Sequence, residues 1–363
     1  MILKNKLNLF GAYLFRWIGF PIEPDLIKIG NPTNESPVFL TCNFILTVRK
    51  VMKALKDIDC YLLIAPSNGI NVWCGACGDD FNTYSVISII KTSEINKMVT
   101  HKTLILPQLS APGIDPKEIK RKIGWNIKFG PVYAKDIPSY LKNNMVKGQF
   151  QRQIRFPFSQ RFEIASMYFF TLFLLFTLFY IITAIFLPIL DLFLYFNSIF
   201  ISVIIIYGSI FILPSIRGEN GSIKVLFYEI IIIMLIIFFY LFIIQNIFYF
   251  IWMLIISILV SLLMSEDFHG LTPIYKSGLG EKSWKKGKNT MKTIIGEVKL
   301  QPYGNINLER DKCIGCMMCI EVCPRTVFVF NQKDKKVDLK FPKKCVNCNA
   351  CIKRCLGECL YLK

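Results

Sequence analysis

From Met167 to Met264 the chain is almost uninterrupted hydrocarbon, and a run of that length admits few folds. It divides into four segments, near residues 167–190, 192–213, 225–244 and 247–264, each long enough for a helix to cross a bilayer. The breaks are Asp191, the PSIRGENGSIK loop at 214–224, and Gln245–Asn246. A buried core helix would account for one such segment, but not for four in series. A hydrophobic fraction of 53% over 363 residues agrees that part of the chain faces lipid. Glu229 falls inside the third segment. A carboxylate there is a functional candidate, and a side chain near a helix end that reaches headgroup water is the plainer expectation.

The formal net charge of +18 would point to nucleic acid in a soluble protein. Here the basic residues are spread through every non-apolar stretch, with no basic helix-turn-helix or finger pattern, so no nucleic-acid partner is expected. Arg152, Arg155 and Arg161 precede the first apolar segment, and a Lys-rich stretch from Lys276 to Lys292 follows the last. By the positive-inside rule both flanks lie in the cytoplasm, which an even number of crossings allows. Arg217 and Lys224 suit a hairpin end on the same side. The expectation is a multi-pass protein of the cytoplasmic (inner) membrane of a prokaryote, with membrane lipid as partner and both soluble parts facing the cytoplasm. Thirteen cysteines would suggest disulfides in a secreted chain, yet MILKNKLNLFGAYLFRWIGF lacks a signal peptide's long apolar run and small-residue cleavage site. The thiols read as reduced, intracellular ligands.

Four parts follow: an N-terminal domain at 1–160, a transmembrane helical domain of about four spans at 161–265, a linker at 266–304, and a C-terminal domain at 305–363. In the first, short apolar runs (PVFLTCNF, CYLLIAP, KTLILPQL) alternate with helical stretches such as LTVRKVMKALKDI and DPKEIKRKIG. That rhythm predicts an α/β, Rossmann-like fold with a mainly parallel sheet and crossover helices. Ligands in such sheets sit beyond the strand C-terminal ends, so the loops after Pro66 and Pro107 are the natural places for a site.

The C-terminal part holds the most specific pattern. Cys313, Cys316, Cys319, Cys323 and Pro324 have the spacing C-x2-C-x2-C-x3-C-P of bacterial ferredoxins, and Cys345, Cys348, Cys351 and Cys355 repeat it without the proline. Three closely spaced thiolates wrap one face of a cubane, and the fourth ligand comes from the other motif. The expectation is an α+β ferredoxin domain of the bacterial 2[4Fe-4S] type. Its first cluster would use Cys313, Cys316, Cys319 and Cys355, and its second Cys345, Cys348, Cys351 and Cys323. Zinc also uses C-x2-C pairs, but two matching four-cysteine runs speak against it. Cys359 lies outside both motifs and is either a packed thiol or one able to handle a soft metal.

A second chemical signal is Asn71, Val72, Trp73, Cys74, Gly75, Ala76, Cys77, Gly78, between the strand-like CYLLIAP and a helix expected to be capped near Asp80. By itself the Cys74/Cys77 pair is open between a redox dithiol, half a metal site and no role. The stretch GINVWCGACGDDF, however, resembles the cap-helix motif N-V-W-C-A-A-G-K of the mercury-methylation corrinoid protein family (HgcA). SPVFLTCNFILTVRK, HKTLILPQLSAPGI, GPVYAKDIPSYL and FHGLTPIYKSGLGE resemble further segments of that family in the same order. That family joins a corrinoid-binding domain, related to the corrinoid iron-sulfur protein of the acetyl-CoA pathway, to a membrane domain. Its usual separate partner (HgcB) is a two-cluster ferredoxin, so this chain looks like a fusion of the two.

The resemblance implies a corrinoid, a cobalamin-type cobalt cofactor, with Cys74 approaching cobalt from below. Asn71, Val72, Trp73, Thr41 and His101 would stand among the cofactor-binding residues. A thiolate is a strongly donating axial ligand and favours release of a methyl group with its electron pair to a soft acceptor such as Hg(II). The cofactor then needs reducing electrons, which low-potential clusters help supply. A methyl donor, either a protein or a methyl-folate/pterin-type system, and an upstream low-potential electron donor are implied as partners. Neither of the two histidines, His101 and His269, lies in the D-x-H-x-x-G setting of histidine-ligated cobalamin proteins. The chain departs from the family motif at Gly75, Cys77, Gly78, Asp79 and Asp80; if the segment is helical, Cys77 shares nearly one face with Cys74 and is a second candidate for soft-metal handling. The competing expectations are a membrane-bound iron-sulfur electron carrier without methyl transfer, and a transporter with a regulatory ferredoxin.

Overall fold

The structure, a computed structural model, describes residues 6–15, 18–155, 157–186, 192–212, 221–241, 246–266, 291–293, 296–298 and 306–362. Asp191, the 214–220 stretch with Arg217, Gln245, His269, the Lys-rich run before Met291 and the segment FHGLTPIYKSGLGE lie outside the described residues. The chain forms two compact units, one of residues 1–12, 16–154 and 289–363, the other of residues 13–15 and 155–288.

The first unit contains a five-stranded sheet. Its strands are β1 (Asp25–Ile29), β2 (Val38–Cys42), β3 (Cys60–Ala65), β4 (Thr103–Leu106) and β5 (Asn126–Phe129), in the order β1-β3-β2-β4-β5. All pairings are parallel except the edge pairing of β1 with β3. Every residue of VFLTC and CYLLIA is buried, as expected for central strands covered on both faces. At the edge, DLIKI is only partly covered. Helix α1 (Lys6–Leu14) precedes the sheet in the chain, and helix α2 (Ile45–Leu55) turns Ile45, Leu46, Val48 and Leu55 inward, an apolar stripe at helical spacing. Helix α5 (Pro116–Ile123) begins at an Asp115 cap and ends at Gly124, whose φ of +75° suits glycine.

The chain places β3 on one side of β2 and then crosses to place β4 on the other. The residues after β2, β3 and β4 therefore gather at the strand C-terminal ends around a topological switch point. This end receives helix α3 (Val72–Gly78). The cap expected near Asp80 belongs instead to Asn82, whose carboxamide oxygen accepts from the Tyr84 and Ser85 amides at the start of α4 (Thr83–Thr92). Asp79 is spent differently, as the left-handed residue that ends α3.

In the C-terminal part of the same unit, two antiparallel strand pairs, 306–308 with 360–362 and 328–331 with 336–339, frame two short helices, Met318–Val322 and Ala350–Arg354. Arg310 ties this part together through Asp338 at 2.7 Å and through Asp334. A short strand pair, 291–293 with 296–298, falls within the stretch expected to be linker.

Among the described residues the second unit has four long helices: α7 (Phe158–Phe186), α8 (Leu192–Ile212), α9 (Gly221–Phe239) and α10 (Ile247–Glu266). The first begins nine residues before the expected 167, because Ser159, Gln160, Arg161 and Glu163 are polar yet compatible with a helix, so hydropathy marks the apolar span and not the helix start. Two helical stretches, Phe158–Thr183 and Leu192–Ile212, are long and apolar enough to cross a membrane, and two shorter apolar ones span Tyr228–Phe239 and Ile247–Leu262. Ile205, Ile206, Ile232, Ile256 and Val260 pack inward, while Leu175, Leu178, Phe200, Met234 and Ile255 point out. Glu229 corrects an expectation. It is buried between α9 and α10, accepting hydrogen bonds from Ser257 and Ser261, which stand one turn apart on α10. Those two hydroxyls do what headgroup water was expected to do.

Candidate functional site

The loop between β3 and α3 is held by one side chain. The Asn43 carboxamide oxygen, just past β2, accepts from the Ser67 amide at 3.0 Å, the Ser67 hydroxyl at 2.9 Å and the Gly69 amide at 3.0 Å, while its nitrogen donates to the Ile22 carbonyl. Gly69 has φ +69°, and a Cβ there would strike Phe20 and Pro21, so the turn needs glycine. Asn71 then caps α3: its side-chain oxygen accepts from the Cys74 amide at 3.0 Å. Of the cofactor role expected for Asn71, what the geometry shows is this positioning of Cys74.

Along α3 the two thiols part company. Cys74 is exposed, and it is the only exposed cysteine of the thirteen. Cys77, one turn on, is half-buried by surface area, and burial pushes its thiol well up, with Cys348 and Cys74 nearby adding to the shift and Lys353 opposing it. Val72 and Trp73 turn into the core. The buried Trp73 Nε1 and Thr41 Oγ1, the latter near the end of β2, have no hydrogen-bond partner among the described residues. A buried donor left unpaired costs about 1–3 kcal/mol, so two of them at the site end of the sheet fit a large group bringing acceptors of its own.

The C-terminal cysteines gather in two cavities. One is lined by Cys323, Cys345, Cys348 and Cys351, the other by Cys313, Cys316, Cys319 and Cys355, with Cys359 beside them. Each cavity thus combines three thiols of one motif with the last thiol of the other. The donor set is sulfur alone, soft and suited to iron-sulfur clusters. Among the described residues, no three His, Cys, Asp or Glu side chains converge on a position for a single metal ion. Backbone amides point at the sulfurs: Val327 to Cys323 at 3.5 Å, Asn347 to Cys345 at 3.4 Å and Cys359 to Cys355 at 3.4 Å.

The second cavity motif is docked on the sheet part, within the one compact unit. Lys353, in the helix that carries Cys351, donates to the Pro112 carbonyl. The next residue, Gly113, lies so close to α3 that a Cβ would meet the Ala76 backbone at 2.9–3.0 Å. Arg354 stacks over the Phe129 ring at 5.3 Å. On the other motif, Glu321 receives the buried Lys147 ammonium at 3.0 Å, and Lys147 also donates to Gln108 Oε1 at 2.9 Å and the Glu321 carbonyl at 3.1 Å. The Ile154 amide reaches the Pro324 carbonyl at 3.1 Å.

His101 is not brought to this site. It precedes β4, at the opposite end of the parallel strands, where its Nε2 lies 3.0 Å from the Ser36 carbonyl and its Nδ1 accepts from the Thr103 amide. Its role there is to tie the strand entrances together, which replaces the expected cofactor contact. Sequence reasoning missed Asn43, Lys147 and Glu321. A lone asparagine at a strand end is a weak cue to Asn43; the ion pair joins residues 174 apart, and no local signal announces it.

Residues 20–141 match the family model described as the CO dehydrogenase/acetyl-CoA synthase delta subunit, and residues 305–356 match the 4Fe-4S dicluster domain. Residues 20–141 thus form a CdhD-like domain. Gamma subunits of the acetyl-CoA decarbonylase/synthase complex are similar to it. That of Methanopyrus kandleri is 32% identical over 123 residues, which are 33% of this chain and 26% of the relative. That of Methanothermobacter thermautotrophicus is 35% identical over 122 residues, 33% and 26% of the two chains. That of Methanocaldococcus jannaschii is 33% identical over 128 residues, 35% and 26%. The chain therefore spans about a quarter of the length of the curated relatives it matches. The CdhD-like match covers the whole sheet, from before β1 to α6 (Ile137–Lys142), and includes Thr41, Asn43 and all of α3. The dicluster match covers all eight motif cysteines and stops short of Cys359.

Proposed function

We propose that this chain is a membrane-anchored, corrinoid-dependent methyltransferase with its own iron-sulfur reductant, similar to a fusion of HgcA and HgcB, that passes a methyl group to Hg(II) or a related soft acceptor. The single observation that carries the reading is Cys74: the one exposed thiol of thirteen, presented by a capped helix at the switch point of a CdhD-like domain. When bound, the corrinoid would supply a cobalt centre able to carry a methyl group and release it, and two [4Fe-4S] clusters would supply single electrons at low potential.

The chain's own residues prepare for this in three ways. Asn43 fixes the loop and Asn71 fixes the helix start, so Cys74 is held with little freedom to lose on coordinating a metal. The unpartnered Thr41 Oγ1 and Trp73 Nε1 would be donors available to the bound group. Lys353, Lys147 and Glu321 keep the cysteine cavities against the same domain, which supports electron delivery within one polypeptide. The two long apolar helices support anchoring in lipid; the cytoplasmic side for both soluble parts rests on the basic residues that flank the apolar segments. A methyl donor and a low-potential electron donor would act from outside the chain.

The test is cobalt and iron analysis with visible spectra of the full chain purified without oxygen. We expect stoichiometric corrinoid whose spectrum changes in Cys74→Ala, and methylmercury formed from the methylated protein and Hg(II). Full iron with no corrinoid in either protein would leave an electron carrier in place of a methyltransferase. Corrinoid present with transfer only to another acceptor would remove mercury and keep the class.

A further inference from the structure

The two cysteine cavities are built alike, with one difference in kind. Four residues beyond the last cysteine of the first motif stands Val327, buried, its amide pointing at Cys323 Sγ. Four residues beyond the last cysteine of the second stands Cys359, equally buried, its amide pointing at Cys355 Sγ. The cavity of Cys313, Cys316 and Cys319 therefore receives a fifth sulfur where its counterpart has a methyl group. Cys359 Sγ lies 3.3 Å from Cys355 Sγ, and both line that one cavity. The backbone at 359 is pinned, because the Glu309 amide donates to its carbonyl at 2.8 Å. The two sulfurs thus sit side by side on one cavity.

By sequence Cys359 is open between a packed thiol and one able to handle a soft metal, and its placement is that of a packed thiol beside four others. At 3% exposure it faces the cavity and not the solvent.

We propose that Cys359 is an alternate terminal ligand of the iron-sulfur cluster held by Cys313, Cys316, Cys319 and Cys355, exchanging with Cys355 at a single iron. The inference rests on the iron-sulfur reading given above. In the exchange the Cys355 sulfur–iron bond breaks, the Cys359 sulfur–iron bond forms, and the proton lost by the Cys359 thiol is taken up by the released Cys355 thiolate. No electron is gained or lost. The consequence is a cluster that survives loss of one ligand, beside a second cluster that does not.

The experiment measures iron and acid-labile sulfide per chain, with EPR spectra of the dithionite-reduced state, in the full chain purified anaerobically in detergent. Cys355→Ala should keep the parent iron content with an altered EPR signal, whereas Cys323→Ala and Cys355→Ala/Cys359→Ala should each lose about half of it. Transplanting the spare thiol, as Cys323→Ala/Val327→Cys, should restore the iron lost in Cys323→Ala. The proposal fails if Cys355→Ala loses as much iron as Cys323→Ala, or if Cys359→Ala alone loses a cluster. Should Cys355→Ala not accumulate, the Val327→Cys rescue decides, with recovered iron supporting the proposal and no recovery overturning it. A parent protein without iron would remove the underlying iron-sulfur reading instead.

Discussion

Helix α3 and the C-terminal cysteine loops use the same side chain for opposite ends. On α3 the thiols sit on a regular helix and diverge, Cys74 outward and Cys77 into the protein. In the C-terminal part, nine cysteines turn inward, none of them exposed; seven lie on irregular backbone, and Cys319 and Cys351 lie on five-residue helices that interrupt it. Loops can wrap a multinuclear group from several sides, whereas a helix can only offer one face to a planar one. What differs between the two regions is backbone, and with it the size and shape of what the sulfur can serve.

The sharpest way to break that comparison is Cys74→Ala. Methyl transfer should fall to background while iron content and the thermal unfolding of the sheet stay as in the parent; Cys77→Ala should keep transfer, because its sulfur is turned inward. Equal loss in both variants would mean that the helix acts as a dithiol after all. Methylmercury production and cobalt content in anaerobic preparations supply the readout.

Next in size is the docking contact. Glu321→Ala leaves the buried Lys147 ammonium without its carboxylate, and a loss of about 1–3 kcal/mol is expected. Proteolysis between the two parts, followed by mass spectrometry, should show faster cleavage in the variant. Unchanged protection would mean that Lys353 and Arg354 hold the cysteine loops without it.

A smaller effect is expected at the helix start. Asn71→Ala removes the cap on the Cys74 amide and should cost about 1 kcal/mol of stability, while Asn71→Asp should recover most of it. Denaturant midpoints of the three proteins measure this. An effect on transfer larger than the stability loss explains would give Asn71 a direct cofactor contact.

The smallest is a pH slope. Burial holds the Lys147 ammonium down at about 8, against an ordinary 10.5, with Glu321 opposing the shift. Between those values the unfolded chain binds the extra proton, so this group adds stability as pH climbs from about 8 toward about 10.5, and contributes no slope below that window. Lys147→Met should flatten the rise, read from denaturant midpoints at about pH 8 and about pH 10.

Much of the site was legible in the chain. The parallel strands, the loops after Pro66 and Pro107 and the cross-paired cysteine sets follow from local spacing, since apolar periodicity and ligand spacing act over a few residues. The edge strands β1 and β5 were missed because their half-exposed DLIKI and NIKF carry little contrast. Composition and spacing alone determined that this chain has an α/β part, an apolar helical part and a soft-sulfur part. Tertiary structure alone decided which thiol is exposed, that Cys359 completes a five-sulfur cavity, that His101 stands at the far end of the sheet, and that Glu229 is satisfied by two serines. Each of these depends on which distant segment covers a residue. Burial and hydrogen-bond partnership are properties of the packed neighbours, and the neighbours here come from tens to hundreds of residues away.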